Sequence, residues 1–539
     1  MTSSVPQRAD AIIIGGGITG IVTALRLLEA GKRVLLLDRG SEQNLGGLAM
    51  QAFGGMALVD TPLQRLNGIR DSADIALADW YSFAEFGADD LWPRRWAEHY
   101  VTRCVPEVYE WLRHYGLHFI PSVQWVERGG LRRGNTLPRY HVLWGTSQRM
   151  TTTLLRALRD HPRRQALQIL CGHTVHELML RDRHVVGCAG IDATSGAPFE
   201  AQAEHVVIAS GGITGDLAKV RANWPRDWGA PPQTLLNGSH PPADGMLHEA
   251  VAAIDGRVTH LEQMWNYAAG VHHPRPQFPQ HGLSLIPCKS ALWMDHRGRR
   301  IGPEPLVTCY DTHAMVEQIA RRQYPYTWQI LNRRIAVREL AASGAEHNPL
   351  IRDRRAFAFA LQLLRGNREL VDELTRECED FVVASNLPNL ARRMNTLAGN
   401  DWISPDVLES EIQPYDEQIA RGRRFHNDEQ LRRIAHLRQW TGDRLRTCAF
   451  QRILDPDAGP LIAIREFILT RKSMGGIQTD LGSRVLDTSG QPIPGLLAAG
   501  EAAGFGGGGA NGKRSLEGTF LSGCILTAQT AARTIASTA

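Results

Sequence analysis

Residues 10–38, "DAIIIGGGITGIVTALRLLEAGKRVLLLD", constrain the fold more than any other stretch. Two continuous apolar runs, at 12–14 and 34–37, are typical of parallel strands that are covered on both faces. Between them, apolar residues recur at helical spacing, and Gly31 is placed to stop the helix. The pattern predicts a strand, a helix and a second strand, which is one βαβ unit of an α/β fold.

The turn between the first strand and the helix contains Gly15, Gly17 and Gly20 in the spacing G-x-G-x-x-G. In this spacing the glycines allow a tight turn, a close approach of backbone to a pyrophosphate, and close packing of helix on strand. The free N–H groups at the helix N-terminus favour the phosphates. Asp38, at the end of the second strand, is placed to accept hydrogen bonds from ribose hydroxyls. The unit predicts a dinucleotide site, with NAD and FAD both open at this point, and Asp38 argues against a ribose 2′-phosphate.

Charge and cysteine content exclude several classes of protein. Lysine and arginine number 60 against 56 acidic residues, and no long run of one sign indicates a nucleic-acid or membrane patch. No window reaches the ~18 apolar residues of a membrane helix, and the N-terminus lacks an apolar signal region. Eight cysteines without a CxxC pair are typical of free thiols in a reducing compartment. We expect a cytoplasmic protein without a membrane span, a metal site or a nucleic-acid partner.

Changes in sequence pattern predict two domains. Residues 168–209 contain short strand-like runs separated by turns, typical of a small antiparallel meander. Residues 258–440 bring proline-rich loops and arginine-rich helical stretches, and strands with glycine turns return afterwards. We therefore predict an α/β fold in which a Rossmann-type domain with a parallel sheet, 1–257 and 441–539, is interrupted by an inserted α+β domain, 258–440.

Two further segments favour FAD over NAD. "VVIASGG", 206–212, and "PGLLAAGEAAG", 494–504, are strands that run into glycine turns, and the second turn contains Glu501. This resembles the flavoprotein pattern in which a late strand returns to the first βαβ unit and an acid holds the ribitol of FAD. "NLGGLAMQAFGG", 44–55, adds backbone donors for the pyrophosphate and the isoalloxazine edge.

Taken in order, these motifs together with "MGGIQTD" and "SLEGTF" resemble the fumarate reductase/succinate dehydrogenase flavoprotein superfamily. The likeness is strongest to FAD-binding dehydrogenases similar to 3-ketosteroid dehydrogenases, and it implies that the inserted domain caps the substrate. It further implies the following FAD-contacting residues: Gly15, Gly17, Gly20, Asp38, Gly46, Gly47, Val175, Gly500, Glu501, Ser515 and Leu516. No histidine occurs in 41–55, where respiratory members link their flavin, so the FAD is expected to be non-covalent.

A second glycine-rich loop, "AAGFGGGGANGKRSLEG", has four consecutive glycines at 506–509. Glycine allows close backbone approach, and we expect these four to lie against the isoalloxazine ring system. Ser515 and Leu516 are expected to begin the final helix. The N-terminus of that helix would then stabilise negative charge on the reduced ring.

The resemblance implies an FAD-dependent dehydrogenase of a CH–CH bond next to a carbonyl, by proton abstraction and hydride transfer to flavin N5. The expected substrate is a 3-ketosteroid or a similar bulky ketone, and the electron acceptor is open. Lys472, in "KSMGG", stands where fumarate-reducing members carry the histidine of H-T-M-G-G. Arg514, in "ANGKRSLEG", and Tyr267, in "MWNY", complete the catalytic candidates. Phe505 and glycines stand where Δ1-dehydrogenating steroid enzymes have a tyrosine.

Other interpretations remain open from the sequence. Arg465, Arg471 and Arg514 could clamp carboxylates, as in a soluble reductase or dehydrogenase of a fumarate-like dicarboxylate. A catalytically degenerate flavin-binding protein is a third interpretation, because the family's histidine, arginine and tyrosine are all replaced. Lys513 is an alternative to Arg514, and the tyrosines at 310, 324 and 326 are alternatives to Tyr267.

Overall fold

The computed structural model describes residues 9–538. Its strands are β1 (Ala9–Ile14), β2 (Val34–Asp38), β3 (Gly55–Ala57), β4 (Tyr140–Val142), β5 (Leu167–Cys171), β6 (His173–Arg181), β7 (His184–Asp192), β8 (Pro198–Ile208), β9 (Leu236–Asn237), β10 (Val258–Thr259), β11 (Met264–His272), β12 (Gly282–Ile286), β13 (Leu292–Met294), β14 (Thr327–Asn332), β15 (Ala341–Ala342), β16 (Phe381–Ala384), β17 (Leu461–Ser473), β18 (Gly476–Ile477), β19 (Arg484–Leu486) and β20 (Pro492–Ala498).

The helices are α1 (Ile18–Glu29), α2 (Pro62–Leu66), α3 (Ala73–Ala84), α4 (Leu91–Cys104), α5 (Glu110–His114), α6 (Thr146–Arg159), α7 (Leu217–Ala222), α8 (Met246–Ala253), α9 (Thr312–Arg321), α10 (Arg333–Glu339), α11 (Pro349–Arg352), α12 (Ala356–Arg365), α13 (Arg368–Glu377), α14 (Leu387–Ala398), α15 (Pro405–Ala420), α16 (Glu429–Leu437), α17 (Thr441–Leu445) and α18 (Thr519–Ser537). None of the helices in residues 9–538 combines the length and the apolarity that crossing a membrane requires.

The chain forms two compact units. The first contains the described residues of Met1–Asn223, Ser239–Trp265 and Arg471–Ala539, and the second contains Trp224–Gly238 and Asn266–Thr470. The assignment of an FAD-binding domain to 1–257 with 441–539, and of a capping domain to 258–440, stays a prediction.

The first unit is built on a sheet in the order β19-β20-β8-β1-β2-β5. The strands from β20 to β5 run parallel, as the buried apolar runs predicted. Strand β8 continues as the edge of the antiparallel meander β6-β7-β8. Apolar residues of the sheet and the meander form one core, which includes Ile14, Leu37, Val175 and Ile208. The predicted α/β fold class is confirmed.

The meander differs from the prediction at its start. The run "QILCGHTVHELML" divides at Gly172, where φ is +75°. Strand β5 pairs in parallel with β2, whereas β6 pairs antiparallel with β7. The sequence predicts a meander over the whole run, because a local apolar pattern does not specify which strand pairs with which.

The second unit contains a mostly antiparallel sheet in the order β13-β14-β17-β11-β12-β15, with β16 and β9 also paired to β17. Helices α9 to α17 lie between the strands of this unit in chain order, from β13 to β17. Helix α12 differs from the others: among the described helices of eight or more residues, it alone buries no residue.

Candidate cofactor and catalytic site

The first glycine loop and the end of β2 form one hydrogen-bonded structure in the first unit. The two carboxylate oxygens of Asp38 accept the N–H groups of Gly16 (2.6 Å) and Gly40 (2.7 Å). A carboxylate offers about four lone-pair sites, so Asp38 retains acceptor capacity for ribose hydroxyls. The guanidinium of Arg39, which follows Asp38, is bound to Asp244 at 2.9 Å.

The three glycines of the loop meet different surroundings. A methyl group on Gly20 would overlap the carbonyl oxygen of Gly15, so Gly20 provides close packing of α1 on β1. A methyl group on Gly17 would meet no atom within 4 Å, and at φ −70° the backbone of Gly17 suits any residue. Gly17 is the N-cap of α1 and leaves the first turn without a side-chain cap. Packing does not explain glycine at 17, but a pyrophosphate against the helix N-terminus does.

Gly46 and Gly47 lie beside this loop. The Gly46 N–H donates to the carbonyl of Gly16 at 2.8 Å, and Gly17 and Gly46 form an isolated parallel bridge. Gly46 and Gly47 both have positive φ, +103° and +54° respectively, which is the region that glycine favours. The structure thus brings together the glycines that the sequence assigned to the pyrophosphate. The side chain of Val175 is buried in the core that the sheet shares with the meander, and its role toward FAD stays a prediction.

Gly500 and Glu501 reach the same edge of the sheet. They follow β20, which pairs with β8, and β8 pairs with β1. Parallel strands end at one edge, where α/β folds bind their ligands. The Gly500 N–H donates to Thr527 Oγ1 at 2.8 Å. The Glu501 carboxylate accepts the N–H of Ser473 at 2.9 Å.

Burial raises the pKa of Glu501 to about 7, while the Ser473 N–H and the charge of Lys472 oppose this shift. Ser473 Oγ also accepts the N–H of Ile213, in the turn after β8, at 2.8 Å. Ser473 could not be predicted from the sequence, because a single serine has no recognisable spacing. A carboxyl group in this position fits the ribitol of FAD, since it offers either an acceptor or a donor to hydroxyls.

Lys472 lies among aromatic side chains of the first unit. Its Nζ is 4.1 Å from the ring centroid of Phe520, a cation–π arrangement. Phe505 and Trp265 pack on the same ring, with centroids 5.0 and 6.1 Å away. Burial lowers the pKa of Lys472 to about 8. The charges of nearby carboxylates oppose this shift, and among them Glu517 has the largest effect.

Glu517 is the principal acid of this aromatic cluster. Its carboxylate accepts the indole N–H of Trp265 at 2.5 Å. Burial together with the charge of Glu517 raises the pKa of Tyr140 above its ordinary range. Glu517, Trp265 and Tyr140 could not be predicted as site residues from the sequence. Glu517 is one of 56 acidic residues, and Trp265 and Tyr140 are single aromatic residues in strands, so none of them belongs to a recognisable motif. Together with Lys472 they form a lysine and a carboxylate in apolar surroundings, an arrangement suited to proton transfer.

Arg514 and Lys513 are directed to an acid at the end of α3. Arg514 Nη1 donates to Glu85 Oε1 at 2.6 Å, Arg132 forms a salt bridge with the same oxygen, and Lys513 Nζ is 3.8 Å from Oε2. Arg514 is buried. These contacts tie the second glycine loop to α3.

The four consecutive glycines pack against protein atoms. A methyl group on Gly506 would lie 2.5 Å from the Trp96 ring, and one on Gly507 would lie 2.7 Å from the backbone of Trp92. All four have positive φ between +65° and +157°. The structure gives these glycines a packing reason that the sequence analysis did not anticipate.

The prediction that Ser515 and Leu516 begin the final helix is wrong. Helix α18 begins at Thr519, and its N-cap, Gly518, has a φ of +105°. Ser515 Oγ instead bonds Asn511 Oδ1 in the preceding loop (3.2 Å) and Oγ1 of Thr519, the first residue of the helix (2.8 Å). The serine side chain thus bonds two other side chains and does not cap the helix. The roles of Ser515 and Leu516 toward FAD stay predictions.

Tyr267 belongs to the second unit, on β11. Its half-buried ring packs against the cluster of Leu236, Phe467 and Leu469. This packing neither requires nor excludes a catalytic hydroxyl, so its role stays a prediction.

Two groups of possible metal ligands occur in the second unit, His273 with Glu346 and His347, and His272 with Glu379 and Asp380. In the second group, His272 Nδ1 lies 2.8 Å from Asp380, which also pairs with Arg465 at 2.8 Å. In the first, His273 Nδ1 accepts the N–H of Arg275, which places the proton of a neutral ring on the other nitrogen. Hydrogen bonds and ion pairs within the protein account for these contacts.

The geometry therefore describes a flavoprotein of the Rossmann type, and the comparisons agree. The model of the family described as "FAD binding domain" matches residues 10–521. The chain belongs to this family.

The chain is 40% identical to a KsdD-like steroid dehydrogenase of Mycobacterium tuberculosis, over 97% of this chain and 95% of the relative. A solved 3-ketosteroid-Δ4-(5α)-dehydrogenase of Rhodococcus jostii, in complex with 4-androstene-3,17-dione, has the same fold, with a TM-score of 0.65, 19% identity, and coverage of 99% and 98%. The open conformation of a flavocytochrome c3 fumarate reductase matches with a TM-score of 0.69 and 19% identity, over 99% of this chain and 79% of that chain. The predicted superfamily, the FAD cofactor and the assignment as an FAD-dependent dehydrogenase are confirmed.

Proposed function

We propose that this protein dehydrogenates a carbon–carbon bond next to the carbonyl of a steroid or a similarly bulky ketone. The observation that carries the proposal is the 40% identity, over 97% of the chain, to a KsdD-like steroid dehydrogenase. Bound FAD supplies the acceptor for the hydride that leaves a C–H bond of the substrate. The proton of the neighbouring carbon passes to a group of the protein, and the electrons then leave to an acceptor that is still to be identified.

Lys472 is the group that we assign to the ketone oxygen. At a pKa of about 8 its ammonium group is mainly protonated at neutral pH. The aromatic surroundings strengthen a hydrogen bond from this cation to an oxygen that gains negative charge as the α-proton leaves. The apolar faces of Phe505 and Phe520 also suit a substrate with little polarity.

Tyr267 and Arg514 complete the catalytic proposal. Tyr267 is the candidate for the proton transfer, since a phenol can accept and return a proton when its pKa is adjusted. Arg514 is held by Glu85, and through this contact it would fix the loop next to the cofactor. Variants Tyr267→Phe, Lys472→Met and Arg514→Lys separate these roles, because each removes one function and keeps most of the side-chain volume.

For the cofactor, we propose non-covalent FAD. The support is that 41–55 contains no histidine. Acid precipitation tests this directly: released FAD stays in the supernatant, whereas a covalent flavin would colour the pellet. A cytoplasmic location is also proposed, and the eight free cysteines support it.

The steroid proposal is tested by adding 3-ketosteroids to the purified flavoprotein without oxygen. A substrate should bleach the visible flavin band, and an artificial acceptor should restore it and allow turnover. If the flavin stays oxidised across a varied panel of ketosteroids, the steroid assignment is wrong. Reoxidation of the reduced protein by fumarate would instead support the dicarboxylate alternative, and the absence of turnover with either class would support a degenerate flavin-binding protein.

The contacts of two arginines favour the ketone over the dicarboxylate. Arg465 is engaged by Asp380 at 2.8 Å, and Arg514 by Glu85 at 2.6 Å. Each guanidinium is thus already neutralised by a protein carboxylate, of which Asp380 is buried and Glu85 is half-buried. A carboxylate substrate therefore gains less from either arginine than it would from an unpaired one.

A further inference from the structure

Helix α12, "AFAFALQLLR", is an apolar helix that the protein does not bury. Eight of its ten residues are apolar, yet each of the ten is half-buried or exposed. Phe357 is 85% exposed and Leu364 is 70% exposed. Because they are seven positions apart, both lie on one face of the helix.

The C-terminal end of α12 is held by hydrogen bonds within the second unit. Arg338 Nη1 donates to the carbonyls of Leu363 and Leu364 at the last turn, at 3.2 Å each. Gln362 donates to Asn367 at 3.1 Å. The last turn of the helix is therefore anchored, while Phe357 in its first turn stays exposed.

Arginines flank helix α12 on both sides in the chain. The segment 352–368 contains five arginines, of which Arg354, Arg355, Arg365 and Arg368 are exposed. The same segment has one acid, Asp353, and Arg352 binds it at 2.8 Å. An apolar strip thus lies between two groups of arginine, one at each end of the helix.

We propose that α12 is an interfacial helix that docks the protein on an anionic phospholipid membrane. Phe357 and Leu364 would enter the boundary between headgroups and acyl chains, while the arginines bind the headgroup phosphates. A second copy of the chain fits less well, because two α12 helices packed face to face bring arginine ends together in either direction. These arginines do not form a continuous run of positive charge in the sequence, because the ten-residue helix separates the two groups.

The test uses the full flavoprotein and vesicles of phosphatidylcholine with or without phosphatidylglycerol. We expect binding to the anionic vesicles at low salt, weak binding to the neutral ones, and a loss of binding as salt screens the charges. The variant Phe357→Ser/Leu364→Ser should lower the partition coefficient at least tenfold. The variant Arg355→Gln/Arg365→Gln should lower it about fivefold for each arginine.

Leu66→Ser is the matched control, since Leu66 is a leucine that is 84% exposed in the first unit. It should bind vesicles as the parent does. All variants should keep the flavin spectrum and the melting temperature, because the replaced side chains are exposed. Vesicle binding that is absent, or that the α12 variants leave unchanged, overturns the proposal. A concentration-dependent dimer that Phe357→Ser/Leu364→Ser dissociates also overturns it, in favour of a second copy.

Discussion

Replacing Gly17 with alanine separates cofactor binding from folding. The new methyl group would meet no protein atom within 4 Å, and a φ of −70° suits alanine. Alanine gains about 0.4–1 kcal/mol by restricting the unfolded chain, while alanine as an N-cap loses a similar amount relative to glycine. The two effects offset each other, so we expect the free energy of unfolding of the flavin-free protein to change by about 0.5 kcal/mol or less.

The same methyl group occupies the space where the pyrophosphate is expected. Overpacking typically costs about 1–3 kcal/mol, which corresponds to an increase of about 5- to 150-fold in the Kd for FAD. The flavin-free protein is prepared by acid-salt treatment. Its Kd is then measured by quenching of FAD fluorescence, and its stability by thermal melting.

Gly20→Ala is the contrasting variant. Its methyl group would overlap the Gly15 carbonyl, and α1 would have to move away from β1 even though ten of its twelve residues are buried. We expect a loss of about 3 kcal/mol or more in stability, with or without flavin. Gly87→Ala, where the methyl group would lie 3.5 Å from Asp90 Oδ2, controls for substitution itself. It should leave the Kd for FAD unchanged and raise stability by about 1 kcal/mol at most.

Two outcomes would refute this reasoning. If Gly17→Ala binds FAD within twofold of the parent, Gly17 does not lie against the cofactor. If Gly17→Ala lowers the melting temperature of the flavin-free protein as much as Gly20→Ala does, the glycine is required by the fold itself.

Three further predictions concern buried charges. If Lys472 donates to the ketone as an ammonium group, kcat/KM should fall above pH 8, because the pKa of Lys472 is about 8. The variant Lys472→Arg should move this fall to higher pH. An unchanged pH profile of kcat/KM would exclude the role. Arg139 is buried and binds Asp71 in bidentate fashion (2.7 and 2.8 Å) and Asp79 at 2.6 Å, so Arg139→Met should cost about 3–5 kcal/mol by leaving two buried carboxylates, measured by denaturant unfolding. Burial raises the pKa of Glu466 well above its ordinary value. The native state therefore holds a proton that the unfolded chain releases. As a result, the free energy of unfolding falls as the pH rises above about 4.5, by up to ~1.4 kcal/mol per pH unit. Glu466→Gln should remove this slope, and parallel pH–stability curves would contradict it.

Local patterns predicted the first βαβ unit well. Continuous apolar runs, helical spacing and a glycine turn are properties of neighbouring residues, so β1, α1 and β2 could be read from residues 10–38. Glu501 could be paired with this unit in advance through the resemblance to flavoproteins in which a late strand returns to the first unit, and β20 does lie in that sheet.

Patterns did not predict the surroundings of the catalytic candidates. Lys472 in the sequence is one of five lysines. Burial lowers its pKa and the charge of Glu517 opposes this shift, and both Glu517 and the neighbouring ring of Phe520 follow more than forty residues later. Likewise, the pairing of Arg514 with Glu85 joins positions 429 residues apart.

The sequence alone determined the class of fold, the dinucleotide loop and the acid at 38, since these depend on spacing within short segments. It also indicated a flavoprotein family, through the resemblance of motifs along the chain. The tertiary structure decided what the second glycine loop packs against, where α18 begins, and that α12 stays unburied. It also placed Lys472 in apolar surroundings next to Glu517. Burial, desolvation and ion pairing arise when distant segments meet, and no spacing along the chain encodes which segments those are.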